Sequence, residues 1–194
     1  MTHEPHSQPI IIEAYHGYTP SFNVAKLIRK MTRGVPPKFL VGLKSVVLTN
    51  KTALSRKDRE RKLPSRGRRV VQGDTLGYYS QAWKGEPACI TLLVDNIEKR
   101  CSGGWSRFGF FRISIFSDVF FHELGHHIHR VHRPRYEERE DVANKWSKKL
   151  SAKFMASRYW YMLPIAAPIA LAAGLGSDIV ALYRKMPTNR KRKT

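Results

Sequence analysis

The stretch Val119-Phe120-Phe121-His122-Glu123-Leu124-Gly125-His126-His127-Ile128 constrains this chain more than any other. It lies within an apolar run, from about Arg112 to His132, that reads as a helix and is closed by Pro134. Positions i and i+4 share one face of a helix, so His122 and His126 present two imidazoles side by side. Two unpaired histidines and a glutamate are costly within an apolar helix. A divalent metal removes that cost. Zn²⁺ takes three protein ligands and keeps a fourth position for water in catalytic sites, and Glu123, one residue around the helix, is placed to act as general base.

A third ligand has to come from elsewhere. A second helix, expected over about 135–156 and charged on one side, can pack antiparallel beside the first and bring up a carboxylate. Glu137, Glu138, Glu140 and Asp141 are all available, and composition does not choose among them. His132 stands six residues after His126, the spacing of the third histidine in HExxHxxGxxH. That pattern needs a glycine where this chain has His129, because the backbone must turn there. Histidine at this position favours an unbroken helix that carries His132 away. His127 and His129 are expected on the helix surface.

His122-Glu123-Leu124-Gly125-His126-His127, followed by Glu140-Asp141-Val142-Ala143-Asn144-Lys145-Trp146-Ser147, resembles the HExxH…ExxA(D/N)xFA layout of gluzincin metallopeptidases. Among these the compact members, including the soluble proteases that cleave phage and stress-response repressors, are most similar in length. The resemblance covers about residues 115–150, with Trp146 in place of the usual phenylalanine and Ser147 in place of a small alanine. It implies that His122, His126 and Glu140 hold zinc, that Ala143 packs under the site, and that Glu123 is the base in hydrolysis of a protein or peptide substrate. Tyr136, His132 and Arg139 are unranked candidates for stabilising the oxyanion. Gly77-Tyr78-Tyr79 and the following hairpin are similar to the substrate-edge strands of such enzymes.

Elsewhere the pattern is plain. Residues 10–12 read as a short strand ending near Gly17, and Ser21 is the expected cap of a helix over 22–33 that Gly34 and Pro36-Pro37 stop. Residues 40–48, 75–83 and 88–94 read as strands, the last two joined as a hairpin through Lys84-Gly85-Glu86-Pro87. Residues 101–109 are glycine-rich and read as a loop. A helix, then strands, then two helices make an α+β arrangement. With the resemblance added, the expected fold is zincin-like, a small mixed or antiparallel sheet packed on an active-site helix and a second, ligand-bearing helix.

At 42% apolar and 26% charged residues, the 194-residue chain is not wholly disordered, and its length favours one compact domain with an appended element. The expected division is a metallopeptidase domain over 1–157 and an apolar segment with a basic tail over 158–194. Thirty-five Lys and Arg against fifteen Asp and Glu give a net charge of +20, which points to an anionic contact. Residues 55–69 carry eight basic and two acidic side chains, read as an exposed loop, and with the tail offer sites for non-specific nucleic acid or an anionic membrane surface. No nucleic-acid-reading motif accompanies them. A catalytically idle zincin-like protein that binds such surfaces is the alternative to the enzyme. Residues 159–176 are uncharged and bracketed by basic residues, so the inner face of a membrane is one expected address, as a packed or surface-lying helix ahead of a span. MTHEPHSQP has no basic n-region followed by an apolar stretch, and Cys89 and Cys101 form no CxxC pair; both favour the cytoplasm, with reduced thiols.

Overall fold

A computed structural model describes residues 8–65, 68–102, 109–132 and 140–162. In chain order these form β1 (Ile10–Ala14), α1 (Val24–Arg33), β2 (Leu43–Thr49), α2 (Arg56–Glu60), β3 (Lys62–Ser65), β4 (Arg68–Val71), β5 (Gly77–Ser80), β6 (Ala88–Leu93), α3 (Val94–Arg100), α4 (Gly109–His132) and α5 (Glu140–Tyr159). The protein is α+β, and its main sheet is mixed. The order is β1-β2-β6-β5, with β1, β2 and β6 parallel and β5 antiparallel to β6 at one edge.

The central strands are β-branched and leucine-rich, as strands covered on both faces must be. Val46, Leu48, Ile90, Leu92 and Leu93 are fully buried. Helix α4 lies against β5 and β6 and contributes the buried Phe116, Phe120, Phe121 and Leu124. Phe22, just before α1, meets Phe116 edge to face with centroids 5.3 Å apart. The β5–β6 connection is the expected tight hairpin: Trp83 and Glu86 exchange backbone hydrogen bonds across Lys84 and Gly85, both at positive φ. Glycine suits the second of those positions, where a side chain is strained.

Several local expectations are corrected. Helix α1 is capped by Asn23, whose side chain accepts from the Lys26 backbone N–H at 2.7 Å. Ser21 is engaged instead by Glu98, which accepts from its backbone N–H and its hydroxyl, and by Arg112, which donates to that hydroxyl. Residues 55–69 are not a plain loop. Ser55 caps the short α2 by accepting from the Asp58 N–H, and β3 and β4 form a separate antiparallel ribbon in which Leu63 faces Val70. Val94, expected to end a strand, instead opens α3, which continues through 95–100, residues unassigned from the sequence. Cys89 and Cys101 are not bridged.

The chain divides into two units, 1–151 and 152–194. Among the described residues no helix is long and apolar enough to cross a membrane. From residue 163 onward the apolar stretch 159–176 lies outside the described residues, as do the basic tail, most of the glycine-rich loop, and Tyr136 to Arg139.

Buried Asn50 joins the ends of β1 and β2. Its amide donates to the His16 carbonyl and its oxygen accepts from the His16 N–H, both at 2.9 Å. Asn50→Ala removes both bonds of a buried side chain, so it should cost about 1–3 kcal/mol in urea unfolding.

Candidate metal centre

The site begins with how α4 is shared between two neighbours. At about 100° per residue, Asp118, His122, Gly125 and His126 form one broad stripe, and Glu123 and His127 form another beside it. The first stripe meets α5, and the second meets β5. This two-sided cover explains why 123–129 are almost wholly buried. It also overturns the expectation that His127 and His129 lie on the surface: they are 1% and 6% exposed.

The approach to α5 is very close. A Cβ at Gly125 would lie 2.7 Å from the Ala143 carbonyl oxygen and 2.8 Å from its Cα, so only glycine permits the contact. Ala143 is itself fully buried. One turn on, the Ser147 hydroxyl donates to the Asp118 carbonyl at 2.9 Å, and the Ser151 hydroxyl to the Asp118 carboxylate at 2.8 Å. The serine that stands where an alanine was expected is thus a clamp between the helices. Trp146 turns to Phe39, with ring centroids 4.9 Å apart, and so fills its place with an aromatic contact.

With α5 held in this way, Glu140 in its first turn reaches the histidine pair. His122 Nε2 lies 3.2 Å from His126 Nε2 and 3.4 Å from Glu140 Oε2, and donor atoms of all three residues fall within 4.8 Å of one another. Donors about 2.0–2.1 Å from a tetrahedral ion sit roughly 3.3–3.4 Å apart, so the two close separations match the edges of such a site. Two imidazoles and one carboxylate are a donor set for a divalent cation of intermediate softness. Access is graded: the side chains of His122 and Glu140 are partly open to solvent, while His126 and Glu123 are buried. Asp141, beside Glu140, is exposed and pairs along the helix with Lys145. His132 ends an unbroken α4, is exposed, and packs edge-on against Phe39, apart from the cluster. Glu137 and Glu138 are outside the described residues.

Two features of the β5 side were not legible beforehand. A Cβ at Gly77 would lie 3.4 Å from Glu123 Cγ and 2.9 Å from the Thr91 carbonyl, so a bare strand passes beside the glutamate. Two residues along, the Tyr79 hydroxyl and His127 Nδ1 are 3.2 Å apart, while His127 Nε2 is 3.0 Å from the Val41 carbonyl. Since a carbonyl only accepts, Nε2 carries the proton, and in the neutral ring Nδ1 accepts from tyrosine. Burial lowers the His127 pKa, which favours that neutral form. A two-residue step on a strand spans about 6.6 Å and a four-residue step on a helix about 6.0 Å, so Gly77–Glu123 and Tyr79–His127 are matched rungs. The hint was Gly77 and Tyr79 at period two.

Searches against protein-family models, curated proteins and solved structures found no match to this chain.

Gly125→Ala tests the helix contact. Backbone atoms of α5 must retreat, so the variant should lose about 1–3 kcal/mol of stability. If the cluster takes zinc, the variant should hold it about 10- to 100-fold more weakly in competition with a chelating indicator, because the helix that carries Glu140 is displaced. Unchanged zinc affinity would separate the helix contact from the cluster.

Proposed function

We propose that this protein is a zinc-dependent metallopeptidase of the gluzincin type on a zincin-like fold, with His122, His126 and Glu140 as ligands and Glu123 as general base. The observation that carries this reading is the meeting of three donors from two helices, with a buried carboxylate on the same helix and an edge strand beside it. A purely structural zinc site has no use for that carboxylate.

A bound zinc ion supplies Lewis acidity toward a carbonyl oxygen and makes water a nucleophile near neutral pH. The protein's own groups do the rest. Glu123 takes the proton of the attacking water and returns it to the departing amide nitrogen, so one carboxylate serves first as base and then as acid. Burial of Glu123 beside Gly77 keeps it close to the scissile bond of a chain laid along β5. β5 stands at the sheet edge in the order β1-β2-β6-β5, so a substrate strand can add to its outer side by main-chain hydrogen bonds. His127 and Tyr79 fix that strand against the catalytic helix.

Hydrolysis of a mixed library of proteome-derived peptides by the zinc-loaded full chain is the test. New N-termini should appear with wild type, and their rate of formation should fall by about 10²- to 10⁴-fold in Glu123→Gln, the usual worth of a positioned acid–base group. If neither protein generates Glu123-dependent termini while both retain zinc, the catalytically idle alternative replaces this one.

A further inference from the structure

The ribbon of β3 and β4, with α2 leading into it, is set apart from the main sheet and is strongly basic. Residues 55–71 carry eight Lys and Arg against Asp58 and Glu60. Arg56 is taken up by Glu60 at 3.2 Å on the same helix. Lys57, Arg61, Lys62 and Arg69 are exposed, and none has an ion pair among the described residues. Four unsatisfied cations on so small an element are a ready surface for an anionic chain.

The position of this surface decides what kind of chain. The base of the ribbon is tied to the segment that becomes β5. The Gln72 N–H donates to the Arg61 carbonyl at 2.7 Å, and Gly73 has no room for a side chain because Arg59 lies across it. Asn96 of α3 donates to the carbonyls of Gly73 and Thr75, which fixes this segment to the body of the fold. From Gln72 to Gly77 the chain spans at most about 18 Å. Gly77 is the residue beside Glu123. A polypeptide laid along β5 past Gly77 thus passes within about 18 Å of the base of the ribbon, a reach of roughly five extended residues.

We propose that the α2–β3–β4 ribbon is a specificity element that selects polypeptides with a run of Asp and Glu about four to six residues to one side of the cleaved bond. This rests on the peptidase reading above. Nucleic acid is the less fitting occupant. Residues 55–71 contain no aromatic side chain on which a base can stack, and the ribbon leads into a strand edge suited to pairing with peptide backbone.

The test uses the zinc-loaded full chain carrying Glu123→Gln, and fluorescence anisotropy with a labelled Glu-rich peptide and its Gln-rich counterpart. The Glu-rich peptide should bind more tightly, and added salt should erase the difference. Introducing Lys57→Glu, Lys62→Glu and Arg69→Glu together should reduce the preference by about tenfold, since an exposed ion pair changes binding by up to roughly fivefold. The milder set Lys57→Gln, Lys62→Gln and Arg69→Gln should fall between, which guards against a folding defect in the first. Equal binding of the two peptides, a preference that survives charge reversal, or displacement of the peptide by a DNA duplex or single strand that binds more tightly would overturn the proposal. The active protein is tested on the same peptides, with a common cleavable segment. Glu123-dependent cleavage without acidic preference refutes the ribbon's role and leaves the peptidase reading standing. Acidic preference in binding with no cleavage of either peptide does the reverse.

Discussion

The centre depends on one steric contact, the backbone of α5 resting on Gly125 of α4. At that crossing the helices are closer than any side chain allows, and Ala143 is the partner because it too adds little bulk. A glutamate side chain is short. It can approach two histidines on another helix only if its own backbone is brought in close. Gly125 and Ala143 set that distance, and Ser147 and Ser151 hold the register by hydrogen bonds to Asp118. Glu140 then meets His122 without the second helix having to unwind.

The other side of α4 is organised by hydrogen bonding as much as by packing. His127 spends both ring nitrogens on fixing the helix, one toward the turn before β2 and one toward β5. A buried imidazole can do this because it offers one donor and one acceptor in the neutral form. The result is that β5, an edge strand with little apolar weight of its own, is aligned beside Glu123. The sheet behind it has a parallel core, β1-β2-β6, and its antiparallel edge strand passes beside Glu123.

What could be read from the chain was what depends on neighbours in sequence. The i,i+4 histidines, the glycine-containing hairpin at 84–87 and the three longer helices follow from spacing alone, and their boundaries fall within a few residues of expectation, save where 133–139 leave the start of α5 unread. The errors have a common source. Ser21 is a good cap in isolation, but Glu98, distant in sequence, claims it and leaves capping to Asn23. His127 resembles a surface histidine until Val41 and Tyr79 are brought to it by the sheet. The basic segment 55–69 has too little apolar content to announce a ribbon, and Leu63 opposite Val70 is the small signal that was there. Composition did not separate Glu140 from Glu137, Glu138 and Asp141, because the contacts that decide which turn of α5 faces the histidines, at Gly125 and Asp118, are remote in sequence.

X-ray absorption at the zinc edge of the purified full chain tests the central claim most directly. One zinc per chain is expected, in a four-coordinate shell of two imidazoles and oxygen donors at about 2.0–2.2 Å, with no sulfur. In Glu140→Ala the oxygen part of that shell should change while the two-imidazole signature persists. A shell containing sulfur, an unaltered spectrum in Glu140→Ala, or a chain that holds no stoichiometric zinc would contradict it.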